Sequence, residues 1–135
     1  MTKKDLDLLK AGLRRAFSRS DLRRSVLDAS ITDHTDLSRP KVKTWCKCAS
    51  CGKPEAKSYM DVDHIIPFVP LDRPFADLTN QERVDRLWCD TSQLQVLCPT
   101  CHTAKSKEEA KKRAAYRTSQ RPPKPPKVKR PSKKS

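Results

Sequence analysis

Hydrophobic positions along this chain fall into short patterns separated by polar stretches. Leu6, Leu9, Leu13, Ala16 and Phe17 recur at three- and four-residue steps, which predicts an amphipathic helix from about residue 3. Ser18-Arg19-Ser20-Asp21 then resembles a capping box with Asp in the Glu place, and Leu22, Val26 and Leu27 predict a second helix ending near residue 30. Residues 31–44 have no clear period, and Asp33, Asp36, Ser38 and Pro40 predict a loop. Asp61-Val62-Asp63-His64-Ile65-Ile66-Pro67 reads as a strand, with Asp61, Asp63 and Ile65 on one face and Val62, His64 and Ile66 on the other, stopped by Pro67. A loop over residues 68–78 leads to the capping box Thr79-Asn80-Gln81-Glu82 and a short helix with Val84, Leu87 and Trp88 on one side. Ser92 to Leu97 predicts a second strand, paired most simply antiparallel with the first. Pro99 opens a helix to about Lys105, and Ser106-Lys107-Glu108-Glu109 predicts another to about Tyr116. The predicted class is α+β.

The polar residues inside the first strand change the picture. An Asp–His pair at the centre of an apolar run is costly to bury unpaired, so it marks either a surface strand with a hydrogen-bonded His or a site of chemistry. The cysteines change it again. With 34% charged and 5% aromatic residues in 135, there is little to bury, and such a small fold needs a staple. Cys48-x-x-Cys51-Gly52 has the form of a zinc-knuckle turn, and Cys98-Pro99-Thr100-Cys101 is its counterpart. Together they predict a structural four-cysteine zinc site that clamps the intervening segment. Cys46 and Cys89 are left over; either could replace an assigned ligand, as could His102. No apolar leader or membrane-spanning run is present, so the expected location is the cytoplasm, where paired cysteines hold metal more often than they form disulfides.

Charge supplies the partner. The formal net charge is +14, which points to a polyanion, with nucleic acid favoured over a membrane surface because the basic segments lack a broad apolar face. Arg14, Arg15, Arg19, Arg23 and Arg24 cluster around a single acid, Asp21, and are candidate phosphate contacts. From Thr118 onward the chain is rich in Pro, Lys and Arg, and is expected to be a disordered or polyproline-like tail binding phosphate without specificity. His34, among polar residues, is read as exposed and without a role.

A strand carrying Asp-His, a second strand, and a helix carrying a His beside four thiolates resemble the HNH endonucleases and their ββα-metal unit. Asp61 through Pro67 is similar to the family's first motif, and Leu94 through Ser106, with Cys98-Pro99-Thr100-Cys101-His102, to its last. Arg86-Leu87-Trp88-Cys89-Asp90 is similar to the phage-encoded branch. The chain is expected to divide into a basic helical segment over residues 1–40, a domain over 41–117 that the resemblance implies is a nuclease, and a tail over 118–135. The resemblance covers roughly residues 45–110 well, the N-terminal segment poorly and the tail not at all. It implies that His64 is the general base, that Asp63 and His102 hold a catalytic Mg2+ or Mn2+, and that Gln93 stands in the family's Asn place. Zinc would be structural, on Cys48, Cys51, Cys98 and Cys101. The residue types suit the reaction: a neutral imidazole, with an unperturbed pKa of about 6.5, can take a proton from water, and a hard divalent ion can neutralise phosphate charge. Lys105 and Arg86 are further candidates to steady phosphates, or else solvated charges. The expected activity is metal-dependent hydrolysis of DNA to 5′-phosphate and 3′-hydroxyl ends, in a host cytoplasm if phage-encoded. The alternatives are a catalytically silent DNA-binding accessory to phage packaging or replication, and, more weakly, an RNA-binding regulator.

Overall fold

Leu6, Leu13 and Phe17 turn one face of α1 (Lys3–Ser18) inward, and Thr2 Oγ1 caps its first turn by accepting from the Asp5 N–H. The computed structural model describes residues 1–128. α2 (Asp21–Ala29) begins later than the capping pattern suggested. Its cap is Ser20, whose backbone is extended and whose Oγ accepts from the Arg23 N–H. Ser18 is still helical and donates back to Arg15 O.

The stretch expected as loop contributes a strand. β1 (Ile31–Thr32), β2 (Trp45–Lys47) and β3 (Pro54–Ala56) form an antiparallel sheet in that order. Strands of two or three residues carry no readable period; pairing makes them. Arg39 holds the connecting loop on this sheet, donating to Glu55 Oε1 at 2.7 Å and lying over the rings of Trp45 and Tyr59. His34 packs edge-on against Trp45.

A second antiparallel pair joins β4 (Asp61–His64) to β5 (Leu94–Leu97), with Asp61 opposite Leu97 and His64 opposite Leu94. β5 starts later than predicted because Asp90 Oδ1 accepts from the Ser92 N–H and winds Thr91–Gln93 into a short 3-10 turn. α3 (Asn80–Leu87) is capped by Thr79 as predicted. Its inward face is Arg83 and Leu87, one turn apart, while Val84 stays on the partly open side. α4 (Pro99–Gln120) is one helix where two were expected. Ser106 lies inside it, because residues 104–117 hold neither Gly nor Pro and are dominated by strong helix formers. Thr118 to Gln120, expected to open the tail, instead close α4; residues 121–128 have no regular structure, and the rest of the expected tail lies outside the described residues. Among the described residues no helix is long and apolar enough to cross a membrane.

Two apolar clusters meet at Val26 and Val62. One gathers Phe17, Leu87 and Leu94 with Phe68, Phe75 and Leu78 from the Pro-containing loop. The other lies beneath the cysteines and holds Leu27, Cys46, Cys48, Met60, Val96 and Leu97. The N-terminal helices therefore share their core with the β4–β5 unit. Arg83 is the buried charge in this frame. It donates to Asn80 Oδ1 and to the carbonyls of Phe75 and Ala76, and lies over the Phe75 ring. Hydrogen bonds from charged groups are worth about 1.5–3 kcal/mol each, less the burial cost. Arg83→Ala is expected to lower stability by about 2–3 kcal/mol, read as an earlier midpoint in urea.

Candidate active site

β4 has a partner on one edge only, and beside it opens a cleft of about 550 Å³. Asp61, Val62, Asp63 and His64 all reach this cleft although they alternate between faces. α1 and α2 contribute Arg14, Phe17 and Arg23. α4 contributes His102, Ser106, Glu109 and Arg113, which recur along one helical face.

His64 is held from several sides. Its ring sits 4.6 Å from the Phe17 ring, which in turn meets Trp88 edge-on. Its Nε2 lies 2.9 Å from the carbonyl of Leu87, the last residue of α3. A carbonyl only accepts, so Nε2 carries the proton and Nδ1 of a neutral ring is left to accept one. The bond also satisfies one of the free carbonyls at that helix end. The backbone is fixed too: His64 O accepts from Lys105 Nζ at 3.1 Å, and the Ile65 N–H donates to Gln93 O at 2.9 Å. Gln93 thus supports the chain after His64 through its backbone. The residue itself is exposed and lines a separate hollow with Ile66 and Arg86.

The two aspartates differ. Asp61 Oδ2 lies 3.5 Å from His102 Nδ1, and both side chains are open, at 49% and 38% exposed. Asp63 is only 11% exposed and is already partnered: Lys105 Nζ and Gln95 Nε2 each lie 3.0 Å from its Oδ2. Lys105 also binds Glu109. Burial works to lower the Lys105 pKa, but its bonds to Glu109 and Asp63 prevail and raise it. Its charge is therefore spent within the protein. The open carboxylate and imidazole suit a hard divalent ion whose remaining ligands are water and phosphate oxygens.

The four cysteines come together where the β2–β3 turn meets the start of α4. Cys48 and Cys51 sit on that turn, closed by Gly52 at φ +74° and by the Gly52 N–H donating to Cys48 O. Cys98 caps α4, and Cys101 lies in its first turn. All four sulfurs lie within 4.8 Å of one another, a spacing that suits tetrahedral zinc. Among the described residues this is the one group of three or more donor side chains so placed. Burial raises the Cys48 thiol, yet N–H groups of Cys51, Cys98 and Ser50 outweigh it and bring the pKa down to about 6. Cys101, hydrogen-bonded to Cys98, is pushed up to about 12. Sulfurs this close cannot all ionise without a cation, and a bound metal would deprotonate them. Cys46 and Cys89 lie outside the cluster. Cys46 is fully buried with its thiol toward Leu27 O, and burial pushes the Cys89 thiol up.

Of the basic residues predicted to meet phosphate, Arg14 and Arg23 line the cleft. Arg15, Arg19 and Arg24 are exposed outside it, with Arg24 paired to Asp21. Arg86 is used internally, donating to the carbonyls of Pro67 and Phe68. The sequence reading assigned no role to Phe17 or to the Leu87 carbonyl, and only Phe17, as part of the α1 stripe, carried any signal there. Compared with protein-family models, curated proteins and solved structures, the chain finds no match.

Proposed function

We propose that this chain is a metal-dependent DNA endonuclease or nickase of the HNH type. The observation that carries the reading is His64: its Nε2 is committed to Leu87 O, and it shares one cleft with the open Asp61–His102 pair. In this reading Nδ1 takes a proton from the attacking water. Phe17 and Leu87 O keep the ring from turning, and the cysteine cluster, with zinc, fixes the start of α4 and so His102. His102 and Asp61 would hold the divalent ion, with Asp63, expected from the resemblance, joining them on release from Lys105. When bound, such an ion supplies positive charge against the charge building on phosphorus and the leaving 3′ oxygen. The products would be 5′-phosphate and 3′-hydroxyl ends. The test is supercoiled plasmid with the purified chain across Mg2+, Mn2+ and other divalent ions. Nicked circles are expected, and intact plasmid with every ion would end the enzyme reading.

One observation favours a second reading. Lys105 stands on Asp63 where a metal ligand was expected, as it would in a zinc-stapled DNA-binding protein without turnover. Tight DNA binding, equal in the wild type and His64→Ala, with no cleavage by either, would select it.

The segment beyond α4 adds a separate expectation. Residues 121–135 contain seven Lys or Arg and no acid. Removing them leaves α4 whole. The plot of log affinity against log salt is expected to become shallower by up to about 0.9 for each duplex phosphate that the segment neutralises, with nicking chemistry intact. An unchanged slope would mean that this segment touches no DNA.

A further inference from the structure

We propose that Arg14 of α1 and Arg113 of α4 together grip a phosphate beyond the scissile one, making the N-terminal helices the second wall of a cleft that admits one nucleic-acid strand. The proposal rests on the nuclease reading only in taking the Asp61–His64–His102 floor as the seat of the scissile phosphate.

The two arginines reach the same cleft from different elements, α1 and α4. Arg14 comes from a segment that the family resemblance covers poorly. Among the described residues no carboxylate pairs with it; its guanidinium lies over the Phe68 ring at 5.6 Å. Arg113 is fixed by its own bonds. Its Nε and Nη2 donate to Val69 O at 3.2 and 2.8 Å, and Nη2 lies 3.4 Å from Glu109 Oε2, which leaves Nη1 unclaimed. Glu109 is shared with Lys105, so it does not cancel both arginines. Burial lowers the Arg14 pKa and the Arg113 charge lowers it further, in keeping with the cleft that both residues line.

Two guanidiniums facing one opening repel, and Glu109, beside Arg113 and shared with Lys105, offsets only part of this; an anion with several acceptor oxygens relieves that repulsion and fits two guanidinium forks. Arg113 lies eleven residues past His102 on the same helix, about 16 Å along its axis. It therefore cannot share a phosphate with His102, and a flanking one on the same strand is the natural occupant. The cleft the two arginines line holds about 550 Å³, roughly 8 Å on a side, which is too small for a double helix, whose major groove alone is about 12 Å wide. Arg23, which also lines the cleft and has no carboxylate partner among the described residues, extends the positive edge.

The test measures binding of a fluorescein-labelled single-stranded oligonucleotide by anisotropy, in the full-length His64→Ala protein to remove turnover. Arg14→Gln and Arg113→Gln are each expected to raise Kd about tenfold and to reduce the salt slope by about 0.7. The double variant should lose little more, because both groups serve one phosphate. Lys4→Gln, the same charge change at an exposed position of α1 away from the cleft, should stay within about twofold. Unlabelled duplex should compete less well than single strand. Arg14→Lys, which keeps the charge, should recover part of the affinity, and an unchanged melting temperature for Arg14→Gln would separate weaker phosphate binding from unfolding. Equal effects of Arg14→Gln and Lys4→Gln, or fully additive losses, would overturn the grip. A wild type that nicks plasmid while Arg14→Gln binds normally sinks the grip alone. A wild type that cuts nothing while Arg14→Gln loses affinity sinks the nuclease reading and keeps the grip.

Discussion

His64→Ala is expected to slow plasmid nicking by about a hundred- to ten-thousand-fold, the range over which a positioned general base accelerates proton transfer. The expectation follows from how the ring is held. Leu87 O fixes which nitrogen carries the proton, and Phe17 fixes the plane. Alanine removes the proton acceptor and leaves β4 paired with β5, since His64 joins that ladder through its backbone. DNA affinity should therefore change little, and the loss should fall on turnover. Added imidazole restoring part of the rate would assign the role of base more directly than the loss alone. A rate within about threefold of the wild type, at saturating DNA, would remove His64 from the chemistry. The neighbouring lysine sharpens the reading. If Lys105 holds Asp63 in reserve, Lys105→Met should alter the dependence of nicking on metal concentration, whereas His64→Ala should lower the rate at every concentration.

What the residues disclosed depended on whether the signal was local. Cys48-x-x-Cys51-Gly52 is a turn whose geometry is set within a few residues, and the four sulfurs do meet. Strand alternation found β4 and β5 for the same reason, though it carried β4 on through Ile65 and Ile66, past its end at His64, and began β5 two residues early. The three-stranded sheet was invisible because β1 to β3 are too short to show a period. Ser106-Lys107-Glu108-Glu109 offered a cap, but the surrounding helix formers outweighed it, and splitting the helix there hid the stripe His102, Ser106, Glu109 and Arg113 that lines the cleft. Arg83 turned inward because carbonyls of the loop at Phe75 and Ala76 were free to receive it, which no pattern of apolar residues reveals. The carbonyl of Leu87 has no side-chain signature at all. The residues Asp61, His64 and His102 of the candidate site were thus legible in their motifs, while the α1 and α4 side chains that share their cleft and the groups that touch His64 arise from tertiary packing.

Cys98→Ser is expected to do more damage than any other single change discussed, because it strikes fold and site together. Structural zinc contributes about 10–16 kcal/mol of apparent binding free energy in small domains near neutral pH, comparable to the whole stability of a typical domain at about 5–15 kcal/mol. The wild type should carry one zinc per chain. Cys98→Ser, or a zinc-selective chelator, should abolish the cooperative thermal transition, and acid should release zinc as protons compete for the sulfurs. Cys89→Ser, outside the cluster, should keep the metal and the transition. Zinc content by mass spectrometry and unfolding by circular dichroism check both. A Cys98→Ser protein that melts as the wild type does, or a wild type without zinc, would show that the sulfurs do not staple this fold. The geometry argues against that outcome. Cys98 caps α4, its N–H lies 3.4 Å from Cys48 Sγ, and the Ala49 N–H donates to Val96 O in β5. The knuckle thus ties the β2–β3 hairpin to the strand and helix beside the cleft. His102 stands one turn beyond Cys98 and donates its N–H to the Cys98 carbonyl. Releasing the sulfurs frees the first turn of α4, and with it the imidazole that faces Asp61.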